Sequence, residues 1–305
     1  MNPAVGRWAE ISVRAESEAA DDLAALFRQH CRGGAVIEEI PASLPSQGSG
    51  PGGQVTVRGF LPAEDERTRR KLEIALLLLA QNSAISQLSV RVMAPEDWSE
   101  SWKAYFPPQH IGERLVIVPT WHEYDPLPEE LVIRLDPGMA FGTGLHATTR
   151  LCLRSLERLL RPGMRVLDVG TGSGILSIAA ALLGAAEVQA LDIDPLAVDV
   201  ARGNFELNGC TVARAELGAL GDDSRGTAPF QGGGYDLLLV NILARVIIRL
   251  AAALPGALAG DGVCVASGIL VEQCEGVADA LTAHGLAVEE RLVEENWAAL
   301  VARKP

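Results

Sequence analysis

The hydrophobic pattern is clearest in residues 166–194, which read VLDVGTGSGILSIAAALLGAAEVQALDID. An apolar run at 166–169, interrupted by Asp168, precedes closely spaced glycines, an apolar helical segment and a second apolar run at 187–191. Short apolar runs bounded by glycine are typical of strands buried on both faces of a parallel sheet. The stretch therefore predicts a strand, a glycine turn, a helix and a second strand that ends in acid.

Strands and helices continue to alternate on both sides of this stretch. Periodicity predicts, in chain order, strands 114–119 and 131–135, helices 150–160 and 195–208, strands 235–240 and 260–267, helix 271–284, and strands 286–293 and 297–303. This order predicts an α/β domain built on a doubly wound sheet.

The first 94 residues follow a different pattern. Alternation and helical spacing predict strand 8–13, helix 16–31, strands 35–40 and 54–61, helix 63–82 and strand 87–93. The order β-α-β-β-α-β is that of a ferredoxin-like α+β unit. Because this part carries no glycine cradle, metal-ligand spacing or nucleophile pair, we expect it to serve recognition, with a purely structural role as the alternative.

The predicted domains are therefore residues 1–94, a ferredoxin-like recognition domain, and residues 131–305, the α/β domain, joined by an interdomain helix and linker at 95–130. In that linker, the aromatic segment 95–108 predicts a helix that packs its rings on the next domain; an aromatic substrate surface is the alternative. Residues 41–53, rich in Pro, Ser and Gly, predict a loop.

Composition narrows the class of partner. The 305 residues include 39 acidic and 26 basic side chains, for a net charge of −13. Such a balance argues against direct nucleic-acid binding, which needs clustered Lys and Arg. Five cysteines without C-x-x-C spacing indicate reduced thiols and no metal site. The amino terminus carries charges where a signal peptide needs an apolar core, and no apolar run reaches the length of a membrane span, so we expect a cytoplasmic protein.

The glycine turn carries the first candidate chemistry. Gly170 and Gly172 allow backbone N–H groups at a helix start to approach a ligand, and Asp192 lies where a doubly wound fold places an acid that accepts two ribose hydroxyls. A nicotinamide dehydrogenase would carry G-x-G-x-x-G, but here the third glycine is Gly174 and Ile175 takes the dehydrogenase position. The G-x-G-x-G spacing resembles methyltransferases that use S-adenosylmethionine (SAM). The alternative is an ordinary βα turn with a capping aspartate.

Two further segments carry polar side chains near predicted element ends. The loop 136–149, DPGMAFGTGLHATT, precedes a helix, and its hydroxyls either cap that helix or bind the amino-acid part of a cofactor under a lid-like loop. In this loop we expect His146 to be a structural hydrogen-bonding residue rather than a base. Asn241, at the carboxyl end of strand 235–240, faces the ligand crevice of such a sheet or merely caps the next helix.

The motifs DPGMAFGTGLHATT, DVGTGSGILSIAA, ALDIDPLAV, NILA, SGIL and EENWAALVARK resemble, in order and over nearly the whole chain, the ribosomal protein L11 methyltransferase family, known as PrmA. The resemblance implies an amino-terminal domain that holds the ribosomal protein and a Rossmann-like class I methyltransferase domain that binds SAM. It implies methylation of lysine side-chain or N-terminal amines of L11, by a chain that we expect to be a monomer.

The resemblance also assigns site residues. It puts Thr149, Gly170, Asp192 and Asn241 at the cofactor, with Phe141 and Thr143 as neighbours. Gly172, in the same turn, belongs with them. Two departures are an insertion at 46–53, which affects substrate recognition, and Thr171 where many members have cysteine, which we expect to matter little because backbone groups make the turn.

Asn241 is also the candidate catalytic residue. We expect its carboxamide oxygen and a backbone carbonyl of the 241–243 turn to accept hydrogen bonds from the target amine and aim its lone pair at the methyl group. Glutamine and adenine methyltransferases carry N-P-P-[YF] here, whose aromatic ring stacks on a planar group. Ile242 and Leu243 replace it, which favours an alkyl amine. The alternatives are methylation of another protein or small amine, and a SAM-binding, ribosome-associated module without turnover.

Overall fold

The computed structural model describes residues 8–16, 19–40, 54–80, 85–86, 88–93, 107–135, 146–221, 230 and 232–305. Two compact units are present, Met1–Pro107 and Pro108–Pro305. The predicted loop 41–53 and all but the last two residues of the predicted aromatic helix 95–108 lie outside the described residues.

The first unit has the predicted order of elements. It contains β1 (Trp8–Glu16), α1 (Ala20–His30), β2 (Arg32–Ile40), β3 (Gln54–Pro62), α2 (Glu66–Leu79) and β4 (Ser89–Met93). The strands form an antiparallel sheet in the order β2-β3-β1-β4. Ile11 and Val57 on the sheet are fully buried, as are Leu23 and Phe27 of α1 and Leu72 of α2. The ferredoxin-like unit predicted from the sequence is confirmed.

The second unit begins with a small three-stranded sheet of β5 (Gln109–Ile111), β6 (Leu115–Pro119) and β7 (Leu131–Leu135). β6 pairs with β7 in parallel, and β5 pairs with β6 antiparallel. Residues 115–119, which fall in the predicted linker, thus pair with the strand that opens the predicted α/β domain, and residues 109–111 of the same linker pair with them. The domain limits 94 and 130 stay predictions.

A large mixed sheet follows, with helices between its strands. Its elements are α3 (Ala147–Leu159), β8 (Arg165–Val169), α4 (Ile175–Leu182), β9 (Glu187–Asp192), α5 (Pro195–Leu207), β10 (Ala213–Leu217), β11 (Tyr235–Asn241), α6 (Ala244–Leu250), α7 (Leu254–Ala257), β12 (Leu258–Leu270), α8 (Cys274–Ala283), β13 (Ala287–Glu294) and β14 (Trp297–Arg303). A 3₁₀ turn, Val271–Gln273, precedes α8.

The strand order of this sheet is β10-β9-β8-β11-β12-β14-β13. In the sheet's own numbering that is 3-2-1-4-5-7-6, the doubly wound order with one antiparallel strand, β14, inserted beside the fifth strand. Its central strands are apolar on both sides, so each face forms its own hydrophobic cluster, one under α3, α4 and α5 and one under α6 and α8. The predicted Rossmann-like α/β fold is confirmed.

Element ends differ from the predictions where capping decides them. Helix α2 begins at Glu66 because the Asp65 side chain accepts a hydrogen bond from the Thr68 backbone N–H. Helix α3 begins at Ala147, three residues before its predicted start, because His146 caps it. None of the described helices is long and apolar enough to cross a membrane.

Candidate functional site

The site lies at the carboxyl ends of four adjacent parallel strands, β9, β8, β11 and β12. Chain order reverses between β8 and β11, because the chain moves outward from β8 to β9 and then returns to the other side of β8. In open α/β sheets ligands bind in the crevice at this reversal. The turn after β8 and the turn after β11 therefore form the two walls of the candidate site.

The turn after β8 contains the three glycines at 170, 172 and 174, all of which have positive φ angles. The backbone N–H groups of Gly170 and Thr171 both donate to the Leu191 carbonyl of β9, at 2.8 and 3.0 Å. Gly174 is the N-cap of α4, and a Cβ there would meet the Phe205 ring at 2.7 Å. The turn is therefore held against β9 on one side and α5 on the other.

Asp192, the last residue of β9, binds this turn directly. One carboxylate oxygen accepts the Gly172 N–H at 3.0 Å, and the other accepts the Asp194 N–H at 3.0 Å. A carboxylate offers about four lone-pair sites, so acceptor capacity remains for two hydroxyl groups. Asp192 is only half-buried, which leaves those sites accessible. The structure thus brings Gly172 and Asp192 together and leaves enough acceptor sites on the carboxylate for a vicinal diol.

Beneath the turn lies a buried carboxyl group whose role the sequence interpretation missed. Asp168 Oδ2 accepts hydrogen bonds from Thr171 Oγ1 and Ser177 Oγ, both at 2.7 Å. Burial raises the pKa of Asp168 to about 6, while the Ser177 and Thr171 hydrogen bonds oppose the rise. The signal available in the sequence was a lone acid inside an apolar strand. The expectation that only backbone groups of this turn matter was incomplete, because the Thr171 side chain holds Asp168.

The other wall is the turn Asn241-Ile242-Leu243 after β11. The Ile242 N–H donates to the Ser267 carbonyl of β12 at 3.1 Å. Helix α6 has Leu243 as its N-cap, without a side-chain hydrogen bond, so Asn241 does not cap it. Within the described part of the chain, the half-buried Asn241 carboxamide makes no hydrogen bond. It is therefore available to a ligand at the crevice.

The two walls touch through Gly170 and Ile242. A Cβ built on Gly170, whose φ is +77°, would lie 2.4 Å from Ile242 Cγ2, which is closer than any carbon contact allows. Any other residue at 170 would strain the backbone and push Ile242 away. The glycine permits the glycine turn and the Asn241 turn to approach each other.

Helix α3 places Thr149 and His146 at its amino end. His146 Nδ1 lies 2.8 Å from Thr148 Oγ1 and accepts the Thr148 N–H at 3.4 Å, and its ring packs edge-on against Trp297 with centroids 4.6 Å apart. Burial, with the Arg150 charge, lowers the pKa of His146 to about 4. A neutral ring whose Nδ1 accepts the helix N–H carries its proton on Nε2. His146 is thus a helix cap.

Thr149 supplies a buried hydroxyl. Its side chain is completely buried, and Thr149 Oγ1 has no hydrogen-bond partner in the described residues. An unpaired buried hydroxyl costs about 1–3 kcal/mol, so such a group is retained where a ligand completes it. The residues present fit a nucleoside with an attached amino acid: Asp192 keeps acceptors for ribose, and Thr149 keeps a hydroxyl for a polar group.

Two of the predicted site residues, Phe141 and Thr143, lie outside the described residues. The described part of the chain has no cluster of side chains that could hold a metal ion.

Comparison with known proteins gives one consistent result. The family model described as ribosomal protein L11 methyltransferase (PrmA) matches residues 7–305. A ribosomal protein L11 methyltransferase of Chloroflexus aurantiacus is 43% identical over 323 residues, covering 98% of both chains. One of Pelotomaculum thermopropionicum is 44% identical over 311 residues, covering 97% of this chain and 98% of the relative. A solved ribosomal protein L11 methylase from Lactobacillus delbrueckii subsp. bulgaricus has a TM-score of 0.59 and 36% identity, covering 65% of this chain and 99% of that one.

Proposed function

Because the chain belongs to the ribosomal protein L11 methyltransferase family, we propose that it transfers methyl groups from SAM to amines of ribosomal protein L11. The amines are lysine side chains, the N-terminal amine, or both. The observation that carries this proposal is the Asn241 carboxamide, which has no hydrogen-bond partner among the described residues and lies in the turn that meets the glycine turn at Gly170.

The cofactor half of the site uses residues of four elements: the turn after β8, the end of β9, helix α3 and, through Asn241, the end of β11. Asp192 accepts the ribose hydroxyls, and its hydrogen bond from Gly172 keeps the carboxylate oriented. Gly170 lets the turn backbone approach the ligand, and Thr149 bonds its amino-acid part. Phe141 and Thr143 of the preceding loop are proposed neighbours. When bound, SAM supplies an electrophilic methyl group on a sulfonium.

The acceptor half must present an unprotonated amine in line with that methyl group. The unperturbed pKa of lysine is about 10.4 and that of an α-amine about 8, so a water-poor site that disfavours the charged form assists the reaction. The Asn241 carboxamide oxygen accepts a hydrogen bond from the amine and directs its lone pair. Positioning of this kind contributes several kcal/mol to a displacement. Ile242 and Leu243 offer no aromatic ring to stack on a planar group, which suits a flexible alkyl amine.

The remaining features of the proposal concern the partner. The amino-terminal unit, which carries no site of its own in its described residues, holds L11 while the second unit methylates it. A net charge of −13 suits a basic protein and disfavours direct binding of ribosomal RNA. We propose that the chain acts as a monomer in the cytoplasm.

The test is release of S-adenosylhomocysteine from SAM with three acceptors: ribosomal protein L11, free lysine and an unrelated lysine-rich protein. We expect release with L11 only. Release with free lysine but not with L11 would favour a small-amine methyltransferase. SAM binding without release from any acceptor would favour a module without turnover.

The variant Asn241→Ala tests the proposed catalytic role in the same assay. Loss of the amine acceptor removes an interaction made in the transition state, so kcat should fall by about 100-fold or more. Asn208→Ala is the matched control, since Asn208 bonds Arg134 and Asn204 away from the crevice. Activity of Asn241→Ala within about twofold of the parent contradicts the role.

A further inference from the structure

Of the motif Ser267-Gly268-Ile269-Leu270 at the tip of β12, only the Ser267 carbonyl has a part in the site as described so far, yet Gly268 also contacts the Asn241 turn. A Cβ built on Gly268 would lie 2.2 Å from the Ile242 carbonyl oxygen, 2.7 Å from its carbonyl carbon and 3.1 Å from its nitrogen. All three atoms belong to the backbone. A side-chain contact could relax by rotation, but here only displacement of the peptide at 242 would make room.

The local backbone of β12 is also unusual at this point. Gly268 has a φ of +83°, and the pairing of β12 with β14 shifts register between Ser267 and Ile269, which makes Gly268 the bulged residue. Bulges of this type occur next to active sites, where they redirect the chain. The Ser267 hydroxyl donates to the Ala298 carbonyl of β14 at 2.9 Å and fixes the bulge to the sheet.

Two contacts from β12 therefore set the position of the Ile242 backbone, whereas the Gly170 contact involves its side chain. Its N–H is held by the Ser267 carbonyl, and its carbonyl lies against the bare Cα of Gly268. In the described part of the chain that carbonyl accepts no hydrogen bond. Asn241 is the residue directly before this peptide, so a shift of the peptide moves the Asn241 carboxamide as well.

We propose that Gly268 is a positioning residue for the methyl acceptor. Its missing side chain lets the Ile242 peptide lie where the Asn241 carboxamide and the Ile242 carbonyl can both receive the amine. This role rests on the proposed amine methylation and adds to it the element that fixes the acceptor half. The cofactor contacts of Thr149, Gly172 and Asp192 lie on other elements, and Asn241 is the one assigned residue that the cofactor and acceptor halves share. We therefore expect Gly268 to act more on turnover than on SAM affinity.

The test compares Gly268→Ala with Gly285→Ala. Both glycines have positive φ, but no described atom lies within 4 Å of a Cβ at Gly285, so that variant reproduces the backbone strain without the contact. Kd for SAM is measured by calorimetry and kcat with L11 by S-adenosylhomocysteine release. The side-chain amide resonances of Asn241, assigned by their loss in Asn241→Ala, give a readout independent of activity.

We expect Gly268→Ala to lower kcat by about tenfold or more, to change the SAM Kd by less than about threefold, and to shift the Asn241 amide resonances. Gly285→Ala should leave all three near the parent. If Gly268→Ala does not fold, Ile242→Gly, which frees the same peptide, should reproduce the loss of kcat and the shift of the Asn241 resonances. An unmoved Asn241 signal with parental kcat overturns the inference. A parent that never methylates L11 overturns the proposed function instead, and the Asn241 resonances then decide whether Gly268 positions the turn.

Discussion

Gly172 donates its backbone N–H to the carboxylate of Asp192 over 3.0 Å, so the turn after β8 and the end of β9 form one structural unit. The same carboxylate is the proposed acceptor for the ribose hydroxyls of SAM. Asp192→Asn leaves one acceptor oxygen where there were two, and we expect the SAM Kd to rise about tenfold or more. Asp194→Asn is the control, because asparagine can keep the cap on the Leu196 N–H. If the calorimetric Kd for SAM is unchanged in Asp192→Asn, Asp192 does not bind the cofactor.

Thr149→Val should affect stability and binding in opposite directions. Valine has the shape of threonine but lacks the hydroxyl, which is buried without a partner in the described residues. Removal of that unpaired group should raise the free energy of unfolding by about 1 kcal/mol. The variant should bind SAM more weakly, since it lacks the proposed bond to the amino-acid part. Urea unfolding and calorimetry measure the two effects. A variant that is less stable and binds SAM as tightly as the parent contradicts both expectations.

Asp168→Asn should change the pH dependence of stability. Burial raises the pKa of Asp168 from its ordinary value of 3.8 to about 6, so the folded state holds this proton more tightly than the unfolded chain. The resulting stability is present below pH 3.8 and is lost as pH rises through 6, a loss of about 3 kcal/mol. Asparagine does not titrate and still accepts the Thr171 and Ser177 hydroxyls. The free energy of unfolding, measured with urea between pH 4 and 7, should therefore not show this loss in the variant. An identical pH profile in parent and variant would show that Asp168 does not titrate in this range.

His146→Asn should remove a pH dependence of stability that runs in the opposite direction, a loss of stability as pH falls. Burial lowers the pKa of His146 from its ordinary value of 6.5 to about 4, so the unfolded chain binds the proton first as pH falls. The parent thus loses stability between pH 6.5 and 4, with about 2 kcal/mol lost by pH 5. Asparagine is a good helix cap and does not titrate, so the variant should lack this slope. Loss of the Trp297 contact lowers the stability of the variant equally at every pH, so the difference in the slope of unfolding free energy against pH can still be measured. An unchanged slope means that His146 is charged in the folded protein.

Local patterns were sufficient to predict the glycine turn and most of the strands and helices, but they did not predict the short elements β5, β10, α6 and α7. The glycines at 170, 172 and 174 and the apolar runs around them specify the strand, turn and helix without distant contacts. Asp192 was identified in the same way, because the spacing from a glycine turn to the acid of the next strand is fixed by one helix and one strand.

The parts that were missed depend on side-chain contacts that spacing alone does not show. The apolar strand around Asp168 signalled a buried acid, but it did not identify Thr171 and Ser177 as its hydroxyl partners. The importance of Gly268 comes from its contact with the backbone of Ile242, which is 26 positions away in the sequence. The hydroxyl groups of the loop were one possible cap of α3. The imidazole of His146 provides the cap instead, supported by Trp297 from the carboxyl-terminal hairpin, which confirms that His146 is a structural hydrogen-bonding residue.

The most direct measurement is the intact mass of purified ribosomal protein L11 after incubation with this protein and SAM, with Asn241→Ala in parallel. We expect L11 to gain mass in whole methyl steps with the parent, and the number of steps bounds the number of methyl groups accepted. The Asn241→Ala sample should stay near the starting mass. An unchanged L11 mass with the parent, under conditions where calorimetry shows SAM bound, would contradict the assignment of L11 as the methyl acceptor.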